Sequence, residues 1–329
     1  RRGVIFTTGG FAHNKTLTRE FLFGPVYGSC AVDASTGDFV QIGADLGSPL
    51  GNMNYPWMAP MPLERALWAN HDDPTIMCMF APPGDSMIMV NRYGKRVVNE
   101  KVQYNEQMQV FQVWDPMRLE YPNLVLFMIW DEATRELFAG ELLGNPIAPE
   151  GADAAHIVRA DTLEGLQDAI TEKLQQLSEY LGGFTLDDDF STQLAGTVAR
   201  YNGYARDGHD PEFHRGEQPI QHYFNQFNGP PRPGNDRNPL MYPFRDSGPY
   251  YATLLAPATL DTKGGPTINR NAQVVDRSGT PIPGLYGAGN CVASPSGKAY
   301  WAGGATIGCA FTFGHLAGKH AAAQPERAI

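Results

Sequence analysis

Two glycine-rich segments near the end of the chain constrain its fold more than any other feature. Gly284–Asn290 has the pattern of an apolar strand that ends on glycines, and Ala299–Gly308 carries a glycine pair followed by a long apolar stretch. The pattern predicts a strand, a loop and then a helix over about Ala305–Ala323. Glycines at a strand end let the backbone approach a ligand closely, and a helix that begins beside them directs unpaired N–H groups at that ligand. The two segments therefore predict a ligand site between a strand end and a helix start.

A flavin ring suits the chemistry of this predicted site. The N1/C2=O edge of a flavin becomes negative on reduction, and a helix N-terminus carries a partial positive charge. We therefore expect a flavin whose N1/C2=O edge lies at the start of the helix that follows Gly303 and Gly304.

Short motifs along the chain carry a family resemblance. In chain order they are Thr8-Gly-Gly-Phe11, Thr36-Gly-Asp38, Asn91-Arg-Tyr-Gly-Lys-Arg-Val-Val-Asn-Glu100, Asp261-Thr-Lys-Gly-Gly265, Ile282–Asn290, Ala299–Gly308 and Phe313-Gly314. This ordered set resembles the fumarate reductase/3-ketosteroid dehydrogenase flavoproteins. Within that superfamily it is most similar to the 3-ketosteroid Δ1-dehydrogenase branch. The resemblance extends over nearly the whole chain and implies FAD as the cofactor.

The resemblance also implies a fold and a set of cofactor contacts. The fold would be α/β, with part of a Rossmann-like FAD-binding domain carrying an inserted α+β catalytic domain. The FAD-binding domain would comprise residues 1–57 and 235–329, and the inserted substrate domain residues 58–234. The residues expected to contact FAD follow strand ends or precede and open the last helix: Thr8, Gly9, Gly10, Gly289, Asn290, Gly303, Ala305, Thr306 and Ile307.

The activity implied by the resemblance is the dehydrogenation of an apolar cyclic ketone, such as a 3-ketosteroid, by hydride transfer to flavin N5. At this motif position the family uses a tyrosine and a glycine backbone to bind the keto oxygen, which implies these roles for Tyr300 and Gly304. A phenol donor there would polarise the carbonyl and acidify the adjacent C–H. The alternative is that Tyr300 only packs against the flavin ring.

A second tyrosine would remove the proton, as the resemblance implies. Tyr250 and Tyr251 are favoured because their segment is closest in sequence to the Asp261–Gly265 turn. The other candidates are Tyr104, Tyr201 and Tyr223.

Two alternatives to this activity stay open. The family's usual Tyr-Pro-Gly is Tyr300-Trp301-Ala302 here, so the bulk of Trp301 would change the pocket. A flavin-dependent reductase of an α,β-unsaturated, fumarate-like substrate is the first alternative. The residues Lys101–Asn105 differ from the segment that fumarate reductases use, and no His–Arg pair for a dicarboxylate is evident. The second alternative is a structural half of a split flavoenzyme that is inactive alone.

A strand–GxGxxG–helix unit, which would hold the FAD pyrophosphate, is not found in the sequence. The string Gly287-x-Gly289-x-x-Val292 leads into a loop instead of a helix. We therefore expect the chain to be the C-terminal part of a flavoenzyme, with an N-terminal FAD-binding chain that carries GxGxxG as a potential partner. Alone, it should bind FAD weakly.

Composition narrows the classes of partner. A net charge of −10 argues against nucleic acids and anionic membranes as partners. The longest apolar runs, such as Leu124–Trp130, are too short to span a bilayer, and no signal peptide is evident. The four scattered cysteines favour a reducing cytoplasm. The eight histidines lack metal-ligand spacing, so we expect no metal site.

The remaining pattern predicts helices over Thr162–Leu181 and Phe190–Tyr204, and a buried strand over Leu124–Trp130. Met53–Leu67 is expected to be a linker, and Gln218–Asn238 a long loop. Met87–Val90 and Lys95–Val98 are expected to form a hairpin, with an ion pair between Arg96 and Glu100 that anchors it.

Overall fold

The computed structural model describes residues 2–68, 78–140, 142–152, 154–301 and 303–326. The chain divides into two compact units. Unit 1 comprises Arg1–Met58 and Thr259–Ile329, and unit 2 comprises Ala59–Ala258. The structure contains α-helices together with strands that pair in both parallel and antiparallel directions, which agrees with the predicted mixed α and β composition.

The strands of the described residues, in chain order, are β1 (Val4–Phe6), β2 (Gly28–Ser29), β3 (Leu50–Gly51), β4 (Trp57–Pro62), β5 (Met87–Val90), β6 (Leu126–Asp131), β7 (Ile157–Ala160), β8 (Tyr250–Asp261), β9 (Gly265–Pro266), β10 (Gln273–Val275) and β11 (Pro281–Gly287).

The α-helices of the same residues are α1 (Lys15–Phe21), α2 (Asp38–Asp45), α3 (Leu63–Trp68), α4 (Tyr104–Gln107), α5 (Glu132–Phe138), α6 (Leu163–Gln176), α7 (Ser178–Leu181), α8 (Phe190–Asp207), α9 (Pro219–Asn225) and α10 (Ala305–Ala322). Short 3-10 helices occur at Met108–Gln112, Leu142–Gly144, Gln226–Asn228 and Gly289–Cys291.

Unit 1 contains a three-stranded sheet in the order β1-β11-β10. Strand β1 runs parallel to β11, so that Val4 is opposite Leu285 and Phe6 is opposite Gly287. Helix α2 covers this sheet through Phe39, which is 1% exposed, and α10 packs on it through Ala317 and Ala321. Because β1 and β11 are parallel, the residues that follow them emerge at the same sheet edge, where open α/β sheets bind ligands.

Unit 2 is built on antiparallel strands. Strand β6 pairs with β5 from Met87 opposite Trp130, and with β8 from Asp131 opposite Tyr250. All six residues of β6 are buried, which explains the uninterrupted apolar run that predicted a strand there. The chain passes between the two units within β8 and just after β4 begins.

Three sequence-based expectations differ from the structure. Gln218–Asn238 is not a continuous loop, because α9 begins at Pro219, and proline is tolerated in the first helical turn where its missing N–H is not needed. The expected linker Met53–Leu67 contains β4 and the start of α3. The second domain boundary, placed at Gly234, differs from the division after Ala258 because the first part of β8 pairs with β6 in unit 2.

Candidate functional site

The turn after β1 is held by the carboxylate of Asp261. The Gly10 N–H donates to Asp261 Oδ2 at 2.9 Å, and the Phe11 N–H donates to Thr262 Oγ1 at 2.7 Å. A Cβ at Gly10 would lie 2.4 Å from Asp261 Oδ1, so a side chain at this position would displace the carboxylate. The glycine is therefore required by the close approach of the turn to the end of β8.

The turn after β11 is tied to the same carboxylate through Asn290. Asn290 Nδ2 donates to Asp261 Oδ2 at 3.0 Å, and Asn290 Oδ1 accepts from the Trp57 indole N–H at 2.9 Å. Burial raises the pKa of Asp261, although hydrogen bonds from Asn290, Gly10 and Thr262 act in the opposite direction. Asp261 therefore joins the two glycine turns that the sequence predicted to contact a cofactor.

Helix α10 begins where the second glycine segment predicted, at Ala305. Gly304 precedes it with φ +86°, a left-handed conformation that favours glycine. A Cβ at Gly303 or Gly304 would meet no atom within 4 Å, so the backbone there faces open space. The first N–H groups of a helix lack partners within the helix and attract negative charge.

A groove of about 390 Å³ lies along this helix start. Its lining consists mainly of small and apolar residues: Pro295, Trp301, Gly303, Gly304, Ala305, Gly308, Cys309, Thr312 and Phe313. Gly308, Cys309, Thr312 and Phe313 were not predicted as site residues. They follow Ala305 by three, four, seven and eight residues, which is the helical periodicity that could have identified them.

The predicted cofactor residues differ in exposure. Gly10 and Ala305 are buried, Gly9, Gly289, Asn290 and Thr306 are partly buried, and Thr8, Gly303 and Ile307 are exposed. Ile307 is 59% exposed. The contact of Ile307 with FAD stays a prediction.

Tyr300 lies five residues before Ala305, where α10 begins, and is 8% exposed. Its ring meets the Trp57 ring edge-on, with centroids 5.1 Å apart and an interplanar angle of 85°. Trp57 was missed by the sequence reasoning, which placed it in a linker. Its indole links the Tyr300 ring to Asn290, and through Asn290 to Asp261.

Tyr250 and Tyr251 belong to unit 2, and both hydroxyls have partners there. Tyr250 donates to the Arg245 carbonyl at 3.0 Å, and Tyr251 donates to Glu132 Oε2 at 2.6 Å. Burial raises the pKa of each phenol, and in Tyr251 the hydrogen bond to Glu132 raises it further. Both effects disfavour a tyrosinate, and the role of either residue as proton acceptor stays a prediction.

The ion pair expected between Arg96 and Glu100 is confirmed. Arg96 Nε lies 2.7 Å from Glu100 Oε1, and both side chains are at most 1% exposed. Asp210 and Arg215 extend the pair into a buried network. The hairpin around it consists of β5 and a single bridge between Val90 and Arg96.

Comparison with known proteins decides the family. The sequence profile described as an FAD binding domain matches residues 1–307. The chain belongs to the FAD binding domain family. The cofactor predicted from the sequence, FAD, is thereby confirmed at the level of the family.

Relatives of this FAD binding domain chain include two curated enzymes. A 3-oxosteroid 1-dehydrogenase of Mycobacterium tuberculosis is 33% identical over 98% of this chain and 53% of its own length. A 4-oxocyclohexanecarboxylate 2-dehydrogenase of Sinomonas cyclohexanicum is 28% identical over 98% of this chain and 51% of its own length. The chain therefore spans about half the length of the curated relatives it matches.

A solved structure shares the fold. The 3-ketosteroid Δ1-dehydrogenase of Sterolibacterium denitrificans, in complex with 1,4-androstadiene-3,17-dione, superimposes with a TM-score of 0.80 and 29% identity. The match covers 98% of this chain and 53% of that chain. The expected resemblance to the flavoprotein superfamily and its 3-ketosteroid dehydrogenase branch is confirmed.

The residues of unit 1 fit an FAD flavin ring. The open backbone at Gly303 and Gly304, the small residues of the groove and the positive end of α10 together suit a planar group with an anionic edge. None of the four cysteines, all of which lie among the described residues, forms a disulfide bond. Among the described residues, no group of His, Cys, Asp and Glu side chains could hold a metal ion. Within the same ranges, no helix has the length and apolar character needed to cross a membrane.

Proposed function

We propose that the protein is an FAD-dependent dehydrogenase that introduces a double bond next to the carbonyl group of a cyclic ketone. FAD, when bound, supplies the two-electron acceptor. The single observation that carries the proposal is the position of Tyr300, a buried phenol three residues before Gly303 and the glycine pair that precedes α10. The named substrates of the relatives, a 3-oxosteroid and 4-oxocyclohexanecarboxylate, have a ring ketone in common and support this class.

In this proposal the residues of the chain perform three tasks. Tyr300 donates its hydroxyl proton in a hydrogen bond to the keto oxygen, and the Gly304 backbone N–H is the second donor. Charge develops on that oxygen when the neighbouring C–H is deprotonated, so donors aimed at it lower the barrier. Tyr250 or Tyr251, ionised to a tyrosinate, is the proposed proton acceptor, and removal of the proton returns it to the neutral phenol. The glycine turns at Gly10 and Gly289 and the helix start at Gly303–Ile307 hold the cofactor.

Trp301 is proposed to limit the size of the ketone. Its side chain is 55% exposed and lines the groove next to the helix start. The proposed substrate class is a ring ketone, with a 3-ketosteroid as one member to be tested.

The experiment compares the turnover of the FAD-loaded Tyr300→Phe variant with that of the FAD-loaded parent protein. The substrates to be tested are a 3-ketosteroid and a cyclohexanone carboxylate. For the reductase alternative, the substrate is an α,β-unsaturated acid with reduced flavin. Losing one donor to a developing oxyanion should lower kcat by about 10²–10³-fold. Because Phe keeps the ring contact with Trp57, FAD binding should persist. Tyr180→Phe, at a 49% exposed position, is the control.

If Tyr300→Phe turns over the ring ketone as fast as the parent protein does, Tyr300 has only a packing role. Turnover of the unsaturated acid alone would favour the reductase. Turnover of none of the substrates by FAD-loaded protein would favour a structural half of a split flavoenzyme.

A further inference from the structure

Lys263 is a buried cation within the segment that joins β8 to β9. The residue is fully buried. Its Nζ lies 3.9 Å from the centroid of the Trp57 ring, over the face of the indole. The same ammonium donates to Ser296 Oγ at 3.2 Å and to the Ala299 carbonyl at 3.1 Å. One ammonium therefore contacts both the ring that Tyr300 packs against and the residue that precedes Tyr300.

The backbone around Lys263 is also tied to the loop that leads to Tyr300. The Ser294 N–H donates to the Lys263 carbonyl at 3.0 Å, and the Ser294 carbonyl accepts from Asn52 Nδ2. A Cβ at Gly264 would lie 2.6 Å from the Met53 Cα, so the segment packs directly on backbone. The loop from Ser294 to Ala299 is therefore held at both ends by one compact turn.

A buried ammonium is costly unless its contacts use the charge, because burial removes its hydration. A packing role alone would be filled by Met, which has a similar length and no charge. The contacts of Nζ named above are directional or electrostatic. They comprise hydrogen bonds to two oxygen atoms and a cation–π contact, which strengthens when it is desolvated. The charge therefore acts on Trp57, Ser296 and Ala299.

We propose that Lys263 is a positioning residue for Tyr300, acting through the Ala299 carbonyl on one side and the Trp57 ring on the other. This inference rests on the proposed function, in which the Tyr300 phenol binds the keto oxygen. The Trp57 ring lies between the two residues in this chain of contacts: its centroid is 3.9 Å from Lys263 Nζ and 5.1 Å from the centroid of the Tyr300 ring. Its loss should release the loop carbonyl and the indole together, and so let the phenol move.

The test uses FAD-loaded protein labelled with ¹³Cζ-tyrosine, in which the Tyr300 NMR signal is the one that Tyr300→Phe removes. Lys263→Met should shift or broaden that signal, because the phenol samples new positions. With a ring ketone as substrate, kcat should fall by about 10- to 100-fold, the range expected when a reacting group is misplaced by about 1 Å. KM should change much less, because the pocket for the rest of the substrate is retained.

Two further variants make the result specific. Lys319→Met removes the same charge from an exposed position near the end of α10 and should change neither the signal nor kcat. Lys263→Arg keeps the charge and should recover part of kcat. An unchanged Tyr300 signal in Lys263→Met, or a kcat within twofold of the parent, would overturn the proposal. If Lys263→Met does not fold, Ser296→Ala decides, since it removes one acceptor and should move the Tyr300 signal in the same direction. A Ser296→Ala signal identical to that of the parent would then refute the role.

The outcome separates this inference from the proposed function. If Tyr300→Phe keeps full activity, the proposed function fails whatever Lys263 does to the Tyr300 signal. If Tyr300→Phe loses activity while Lys263→Met leaves the signal and kcat unchanged, only the positioning role fails.

Discussion

Replacing Glu100 by Gln should destabilise unit 2 by about 3–5 kcal/mol, the range for breaking a buried ion pair by removing one partner. The Glu100 carboxylate accepts from Arg96 Nε at 2.7 Å and from Arg96 Nη2 at 2.8 Å. It also accepts from Arg215 Nη1 at 3.2 Å and from the Met89 N–H at 3.3 Å. A Gln amide places an NH₂ group against a guanidinium, so at least one pair of donors meets without an acceptor.

The magnitude follows from these contacts. Each charge-assisted hydrogen bond contributes about 1.5–3 kcal/mol, and the variant loses the charge from all of them. After the substitution, Asp210 is the carboxylate that remains within the buried network of Arg96 and Arg215, and Arg96 contacts it at 2.8 Å. For a unit of this size the expected fall in Tm is about 6–20 °C. Urea and thermal unfolding, followed by circular dichroism, measure both quantities.

Glu136→Gln is the matched control. Glu136 pairs with Arg245 at 2.9 Å, but these side chains are 51% and 47% exposed, so the control should cost less than about 1 kcal/mol. A Glu100→Gln variant as stable as the control would refute the reasoning that the network supports unit 2.

The pH dependence of stability provides a second test of the same network. Burial alone would raise the pKa of Glu100, but attraction to Arg96 and Arg215 outweighs it and holds the pKa below its usual value. The pKa of Asp210 is lowered in the same way by Arg96, against burial. A lowered carboxyl pKa stabilises the fold above the unfolded-state pKa, about 4, and this stability is lost as pH falls through the folded-state pKa. Glu100→Gln should therefore weaken the loss of stability in acid.

Two further predictions concern the site. Gly303→Val should weaken FAD binding at least tenfold while far-UV circular dichroism is unchanged, because the new side chain fills open space where the cofactor is proposed to lie. Gly318→Val, at an open position within α10, is the control, and equal FAD affinity in both variants would show that the flavin ring lies elsewhere. Of the variants Tyr250→Phe and Tyr251→Phe, the one that lacks the proton acceptor should have a kcat lower by about 10²–10⁴-fold. Full activity in both variants would exclude both residues from proton transfer.

Local features of the site were predictable from the sequence. The starts of α2 and α10 follow Gly37 and Gly304, both with positive φ, so glycine marks each boundary through its own backbone conformation. The Arg96–Glu100 pair was also predictable, because its partners are four residues apart. Short-range spacing carries such information directly.

The links between motifs were not predictable, because they join residues far apart in the chain. The Trp57–Asn290 hydrogen bond spans 233 positions, and the Gly10–Asp261 hydrogen bond spans 251. The sequence contains both ends of each contact, but only the parallel pairing of β1 with β11 brings the turns to one edge. The motif around Asp261 was therefore noticed as a turn, whereas its role as the carboxylate that joins two glycine turns was missed.

The buried charges of Glu100 and Lys263 should have different effects, one on stability and the other on turnover. In unit 2, Glu100 contacts Arg96 and Arg215, so its charge is neutralised by partners within the network and its effect is on stability. In unit 1, the Lys263 ammonium contacts a hydroxyl, a carbonyl and the face of an indole, all of which belong to the surroundings of Tyr300. Because these groups fix a loop and a ring next to the proposed donor, removal of the Lys263 charge should act mainly on turnover. Removal of the Glu100 charge should act mainly on unfolding. The ratio of the two effects in each variant is what distinguishes a positioning charge from a structural one.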